Sequence, residues 1–229
     1  MSMYNYIVDH IPRNTPYDRR PGNKMDATTL TIHNTGNPSS TARNERGWLT
    51  NPSNKRTASY HIVVDEHEAI EVLPLNENAW HAGDGNGNGN RKSIGIEICE
   101  SGNYGKTLQN AAALVARMLY ERGWGVDRLR RHFDWSGKIC PRLMYSGGKW
   151  TAWERFKLMV QKELNAMDKP KQPDKSADGV TITVDGRELD EAGILIGNTA
   201  YVPVRAVLEA AGAKVKWDGK GKKVNITSS

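Results

Sequence analysis

The sequence predicts an α/β domain, then a linker, then a small β-rich α+β module. Three observations carry this. Several short stretches alternate apolar and polar residues, as strands do. Two longer stretches repeat apolar residues at helical spacing. Between them and the C-terminal stretch lies "DKPKQPDKSADG" (168–179), rich in proline, lysine and small polar residues and without an apolar period. The expected boundaries are 1–167, 168–178 and 179–229.

The elements follow in order. "TLTIHNTG" (29–36) sets Leu30 and Ile32 against Thr31 and His33, a strand ending in polar turn material. "SYHIVVDEHEAIEVLP" (59–74) reads as two strands around a turn near Glu66 and His67. "SIGIEIC" (93–99) reads as a largely buried strand. A helix is expected from about Thr107 to Arg122, with Leu108, Ala111, Ala112, Val115, Met118 and Leu119 on one side and Gly123 as its stop. The last helix of the domain is expected to start at Thr151, with Thr151 and Glu154 spaced as a capping box and Trp153, Phe156, Val160 and Leu164 inward. In the tail, Asp185-Gly186 and Gly197-Asn198 mark turns, "VRAVLEAAG" is a short helix closed by Gly212, and "AKVKWDGKGKKVNI" is a hairpin.

Composition narrows the class. Of 229 residues, 38% are hydrophobic and 25% charged, which fits a globular chain rather than a disordered one. No apolar run approaches the roughly 20 residues of a membrane span, so no membrane insertion is expected. The net charge of +6 favours polyanionic partners, but its densest cluster is only Arg128 to His132. Without a helix-turn-helix, finger or stacking motif, no specific nucleic-acid site is expected. "MSMYNYIVDHIPRN" has no basic stretch followed by an apolar core, so synthesis in a cytoplasm is expected. There, Cys99 and Cys140 stay unpaired.

His33 ends a strand, His132 lies in strand-like "RRHFDW", and Cys140 follows eight positions later. Two imidazoles and a thiolate leave the fourth position of a tetrahedral zinc open, the pattern of a catalytic site. Against this stands the simpler view of Cys140 as a small buried hydrophobe. Glu97, alone among apolar neighbours, is the candidate general base, with a structural ion pair as the alternative. Lys138 and Tyr60 are candidates to stabilise an oxyanion. His10 and His67 read as surface residues and His61 as structural. His81 stands at the mouth of the glycine-rich run 83–90, which suits a mobile loop over a cleft. His81, Trp80 and Asn34 are candidate substrate contacts. The tail has no histidine or cysteine, so binding is its expected job.

In this order, "TIHNTGN", "ASYHIVVD", "AWHAG", "SIGIEIC" and "RHFDWSGKICP" resemble the zinc-dependent N-acetylmuramoyl-L-alanine amidases. Within these they look most like the amidase domains of endolysins from phages of Bacillus-like hosts. The likeness covers roughly residues 1–167. It implies the fold of the peptidoglycan recognition proteins, a mixed central sheet flanked by helices. It also implies Zn2+ on His33, His132 and Cys140, Glu97 as catalytic glutamate, and Tyr60 and Lys138 as assisting groups. The implied reaction is hydrolysis, by zinc-activated water, of the amide between N-acetylmuramic acid and L-alanine of the stem peptide in a Gram-positive host wall. A non-catalytic peptidoglycan binder and a zinc peptidase cutting within the stem peptide are the rival readings. The tail, "AYVPVRAVLEAAGAKVKWDGKGKKVNI", resembles the small repeats named after the copper amine oxidase N-terminal domain, without a copper ligand set. In an endolysin it implies an anchor to wall polymers. A monomer is expected, made in the host cytoplasm and reaching the wall after the membrane is opened.

Overall fold

A computed structural model describes residues 4–168, 179–196, 199–218 and 223–228. The expected linker, apart from Asp168, and the turn at Gly197-Asn198 lie outside the described residues, as do positions 219–222 of the last hairpin. The chain divides into two units, Met1–Asp168 and Lys169–Ser229.

The first unit runs β1 (Asn5–Val8), β2 (Thr29–Asn34), α1 (Ala42–Thr50), β3 (Ile62–Val64), β4 (Glu68–Glu71), α2 (Asn88–Lys92), β5 (Ser93–Ile98), α3 (Tyr104–Tyr120), β6 (Leu129–Arg131), α4 (Phe133–Ser136) and α5 (Thr151–Asp168). Its six strands form one sheet in the order β1-β4-β3-β5-β2-β6. Only β3 and β4 pair antiparallel, so the sheet is mixed.

Strand alternation separates the two faces of this sheet. Leu30 and Ile32 of β2, with Ile94, Ile96 and Ile98 of β5, pack into one apolar cluster. From α3 the cluster takes Ala111, Leu114, Val115 and Met118, and from α5 Trp153, Phe156, Val160 and Leu164. Each such fully buried aliphatic or aromatic side chain contributes on the order of 1.5–3 kcal/mol. The residues between them, Thr31 and His33 on β2 and Gly95 and Glu97 on β5, belong to the opposite face. There Val63, Tyr60, Ile70 and Cys99 pack with Ala42 and Leu49 of α1. The helices α3 and α5 therefore seal one side and leave the other for chemistry.

Helix ends differ from the sequence reading by a turn or less. The α3 helix starts at Tyr104, because the Asn103 side chain accepts from the Lys106 amide and caps it earlier than Thr107. Thr151 is the first helical residue of α5, not its cap; Glu154 N donates to Trp150 O, so the expected capping box does not form. The capping box of the domain is instead on α1, where Thr41 and Asn44 bond reciprocally. No helix among the described residues is long and apolar enough to cross a membrane.

The second unit contains β7 (Gly179–Val180), β8 (Thr183–Val184), β9 (Arg187–Glu188), β10 (Gly193–Ile196), β11 (Thr199–Tyr201), α6 (Val204–Ala210), β12 (Lys214–Asp218) and β13 (Lys223–Thr227). Asp185 and Gly186 both take positive φ, 49° and 78°, as a two-residue hairpin turn between β8 and β9 requires. Its strands are mostly exposed, with Tyr201 and Trp217 each more than half accessible.

Candidate metal centre and active site

His33 and Glu97 are directly opposite each other, because β2 and β5 run parallel in register His33↔Glu97. Both sit near the C-terminal ends of their strands, and β6 delivers His132 one residue past its own end. His132 has helical backbone angles and opens α4, so the strand expected there stops at Arg131. After α4, the Phe133 amide donates to Cys140 O at 3.2 Å, which closes the loop and turns Cys140 back toward β2.

The result is a tight donor set. His33 Nδ1 and His132 Nδ1 are 3.1 Å apart, and Cys140 Sγ is 3.7 Å from His33 Nδ1. All three ligand atoms lie within 4.8 Å of one another, and all three residues are buried. A tetrahedral ion with bonds of about 2.0–2.1 Å to nitrogen and about 2.3 Å to sulfur sets such atoms about 3.3–3.6 Å apart. The donors therefore fit one small cation, and two imidazoles with one thiolate suit zinc over calcium or magnesium. Glu97 Oε1 lies 4.0 Å from His33 Nδ1, while its Oε2 is buried with no hydrogen-bond partner. An orphaned carboxylate oxygen beside such a set points to an absent partner.

Burial dominates the electrostatics. It pushes Glu97 up to about 8, helped by the nearby charge of Glu45 and opposed by Lys138. Burial, then the charge of Glu97, raises Cys140 to about 12. Burial pulls His33 well below the ordinary imidazole value, His132 down to about 4 and His81 to about 3. Without a cation the groups are held neutral; a dication there favours the thiolate instead.

A cavity of about 210 Å3 opens on this cluster. Tyr60 and Lys138 line it with Glu97 and the three donors. Lys138 is exposed at its rim, whereas Tyr60 is buried and donates its hydroxyl to Glu45 O at 2.9 Å. Trp80 lines it half-buried, its indole N–H tied to Asp18 O at 2.9 Å and its ring under the Arg91 guanidinium.

The polar roles expected for two residues change. His81 is buried and both ring nitrogens are used inside the protein, one toward His33 and one toward Ser93 O, so neither is left for a substrate. The Asn34 side chain donates to Ile98 O and the Tyr104 hydroxyl and accepts from the Leu143 amide at 3.0 Å. It ties β2 to the segment after Cys140 rather than facing the cavity with a free group. The glycine-rich run also differs from the mobile loop expected. Asp84 accepts from the Gly89 and Asn90 amides at the start of α2, and Asn90 Oδ1 accepts from the His81 and Ala82 amides. Side-chain caps organise a segment whose composition alone reads as loose. His61 is structural: Nδ1 accepts from Gly95 N and Nε2 donates to Glu77 O.

Several contributors were not foreseen. Glu45 of α1 lines the cavity beside Tyr60, and burial raises its carboxyl. Thr35, Glu45, Trp48 and Arg56 join the cavity to a second one of about 460 Å3. Glu100 pairs with Arg142 and accepts from the Gly36 amide, clamping the loops after β2 and Cys140 together. Arg19, almost fully buried, donates to the carbonyls of Leu49, Asn54 and Arg56, and so holds three residues that line the first cavity. The only sequence signal for these was an acidic residue next to Cys99 and a basic one two positions after Cys140.

Comparison with known proteins gives a consistent picture. Residues 23–143 match the family model described as N-acetylmuramoyl-L-alanine amidase, and residues 183–229 match the one described as copper amine oxidase N-terminal domain. The chain is 51% identical over 148 residues to N-acetylmuramoyl-L-alanine amidase XlyB of Bacillus subtilis (strain 168), covering 62% of this chain and 45% of that protein. The solved catalytic domain of XlyA is 41% identical, with a TM-score of 0.62 over 68% of this chain and 99% of that one. A mutant endolysin from Bacillus subtilis is 41% identical, with a TM-score of 0.63 over 69% and 99%. The chain spans about half the length of the curated relatives it matches.

Proposed function

This chain belongs to the N-acetylmuramoyl-L-alanine amidase family, and on that premise we propose that it is a peptidoglycan hydrolase of the endolysin kind. It cleaves the amide between the lactyl group of N-acetylmuramic acid and L-alanine of the stem peptide. The observation that carries the reading is the convergence of His33, His132 and Cys140 beside Glu97, whose Oε2 is buried without a partner.

His33, His132 and Cys140 would hold zinc, which when bound supplies a Lewis acid that polarises the scissile carbonyl and acidifies water. Glu97 takes the proton of the attacking water and returns it to the leaving amide nitrogen, so the amine departs neutral. Burial raises its proton affinity above that of an ordinary carboxyl. Lys138, at the exposed rim of the cavity, serves the oxyanion as a cation. The Tyr60 hydroxyl serves the same oxyanion by exchanging its bond to Glu45 O for one to the substrate. The joined cavities offer the stem peptide a path past Glu45 and Arg56, with the Trp80 face alongside.

The second unit is read as a wall anchor that takes secondary wall polymers, with the exposed rings of Tyr201 and Trp217 as its contact chemistry. Co-sedimentation of the full chain with purified walls, set against walls stripped of those polymers, tests this; equal pelleting with both removes that ligand class. The chain works as a monomer, made in the host cytoplasm and acting on the wall once the membrane has been opened.

The deciding assay uses purified Gram-positive walls with and without a chelator. We expect new amino-terminal L-alanine, lost with chelator and restored by zinc, and no new reducing sugar ends. Other amino termini would make the chain a stem-peptide peptidase, and binding without cleavage would make it a recognition protein.

A further inference from the structure

Outside the donor set, His81 packs its ring edge-on against His33. His33 Nε2 lies 3.1 Å from His81 Nδ1, and His81 Nε2 lies 3.0 Å from the carbonyl oxygen of Ser93. A carbonyl can only accept, so His81 carries its proton on Nε2 and its Nδ1 is a lone pair. That lone pair in turn requires the proton of His33 to be on Nε2. His33 Nδ1, the atom 3.1 Å from His132 Nδ1, is then unprotonated and aimed at the centre of the donor set.

We propose that His81 is a positioning residue that sets the tautomer and orientation of His33, with Gly95 as the vacancy that admits it. The backbone makes this specific. A Cβ at Gly95 would stand 2.7 Å from His81 Cγ, closer than real side chains approach, so β5 must lack a side chain there for the ring to lie against the strand. The Asn90 side chain fixes the ring's own backbone by accepting from the His81 and Ala82 amides. A chain of hydrogen bonds therefore runs from the Nε2–H of His33 through His81 to Ser93 O, and leaves the Nδ1 lone pair of His33 for the cation. Such outer contacts typically carry 10- to 100-fold in metal affinity.

This rests on the zinc reading, and the test separates the two. Zinc affinity of the full chain is measured by competition with a chromophoric chelator for the wild type and for His33→Ala, His81→Phe, His81→Gln and Gly95→Ala. The histidine nitrogens of the metal-free wild type and His81→Phe are read by 15N NMR. We expect His33→Ala to abolish binding. His81→Phe and Gly95→Ala should bind about 10- to 100-fold more weakly. His81→Gln, which keeps an acceptor, should recover part of the loss. Metal-free wild type should show His33 protonated on Nε2 alone, and His81→Phe a mixture of tautomers. If the wild type binds no zinc, the metal reading fails. If it binds zinc and His81→Phe binds equally tightly, or if wild-type His33 is protonated on Nδ1, the positioning role is overturned. The wild-type spectrum decides the matter even where a variant does not fold.

Discussion

Glu97→Gln is expected to leave the protein folded and able to hold zinc, and to lower wall cleavage by about 10²- to 10⁴-fold. The substitution is nearly isosteric and removes the carboxylate that takes and returns the proton. In the metal-free protein it also removes a group that burial already keeps largely protonated near neutral pH, because Glu97 titrates at about 8. Stability should therefore change little, since one neutral buried group replaces another of the same shape. Release of amino-terminal L-alanine, alongside thermal unfolding and zinc titration, checks all three parts. A residual rate above about a tenth of wild type would give the proton transfer to another group. Lys138→Ala, which removes an exposed cation from the cavity rim, should cost less, about 10²-fold, with zinc binding unchanged.

Cys140→Ser should lose zinc and activity together. The thiolate is the one anionic donor of the set, and a serine hydroxyl at the same place stays protonated and binds the cation poorly. The fold should survive, because the loop carrying residue 140 is held by other bonds: Phe133 N to the carbonyl of residue 140, Asn34 to the Leu143 amide, and Arg142 to Glu100. Metal content after dialysis, compared with amide release on walls, reads both losses at once. Full activity with no bound metal would detach the chemistry from this cluster altogether.

These two residues were visible in the sequence for different reasons. Glu97 stands out because Ile94, Ile96 and Ile98 mark its strand as buried, and a lone carboxylate in such company demands a use. Cys140 gained its meaning only from the ordered motifs around it. The strands β2, β3 and β5 and the helices α3 and α5 were equally legible, since each carries its own apolar period. The edge strand β1 was not, and β6 was expected too far along, in "RRHFDW", whereas it covers Leu129–Arg131. "LRR" has no strand pattern of its own, and it is a strand because β2 offers it an edge to pair with. Residues 83–90 failed in the opposite direction: glycine content suggests freedom, while two side chains, Asp84 and Asn90, remove it through five hydrogen bonds among neighbours. His81 and Asn34 do line the cavity, but sequence does not say which way a polar atom points.

The in-register pairing of β2 with β5 has a consequence for how this site can vary. His33 and Glu97 are addressed by counting along two parallel strands, so a single-residue insertion upstream in either strand would present Ile96 or Ile32 where a polar group belongs. Length changes are tolerable only beyond the strand ends. The segments after β2, β5 and β6 are thus the places where related chains can diverge in reach and substrate preference, while the two strands themselves behave as a reading frame for the chemistry.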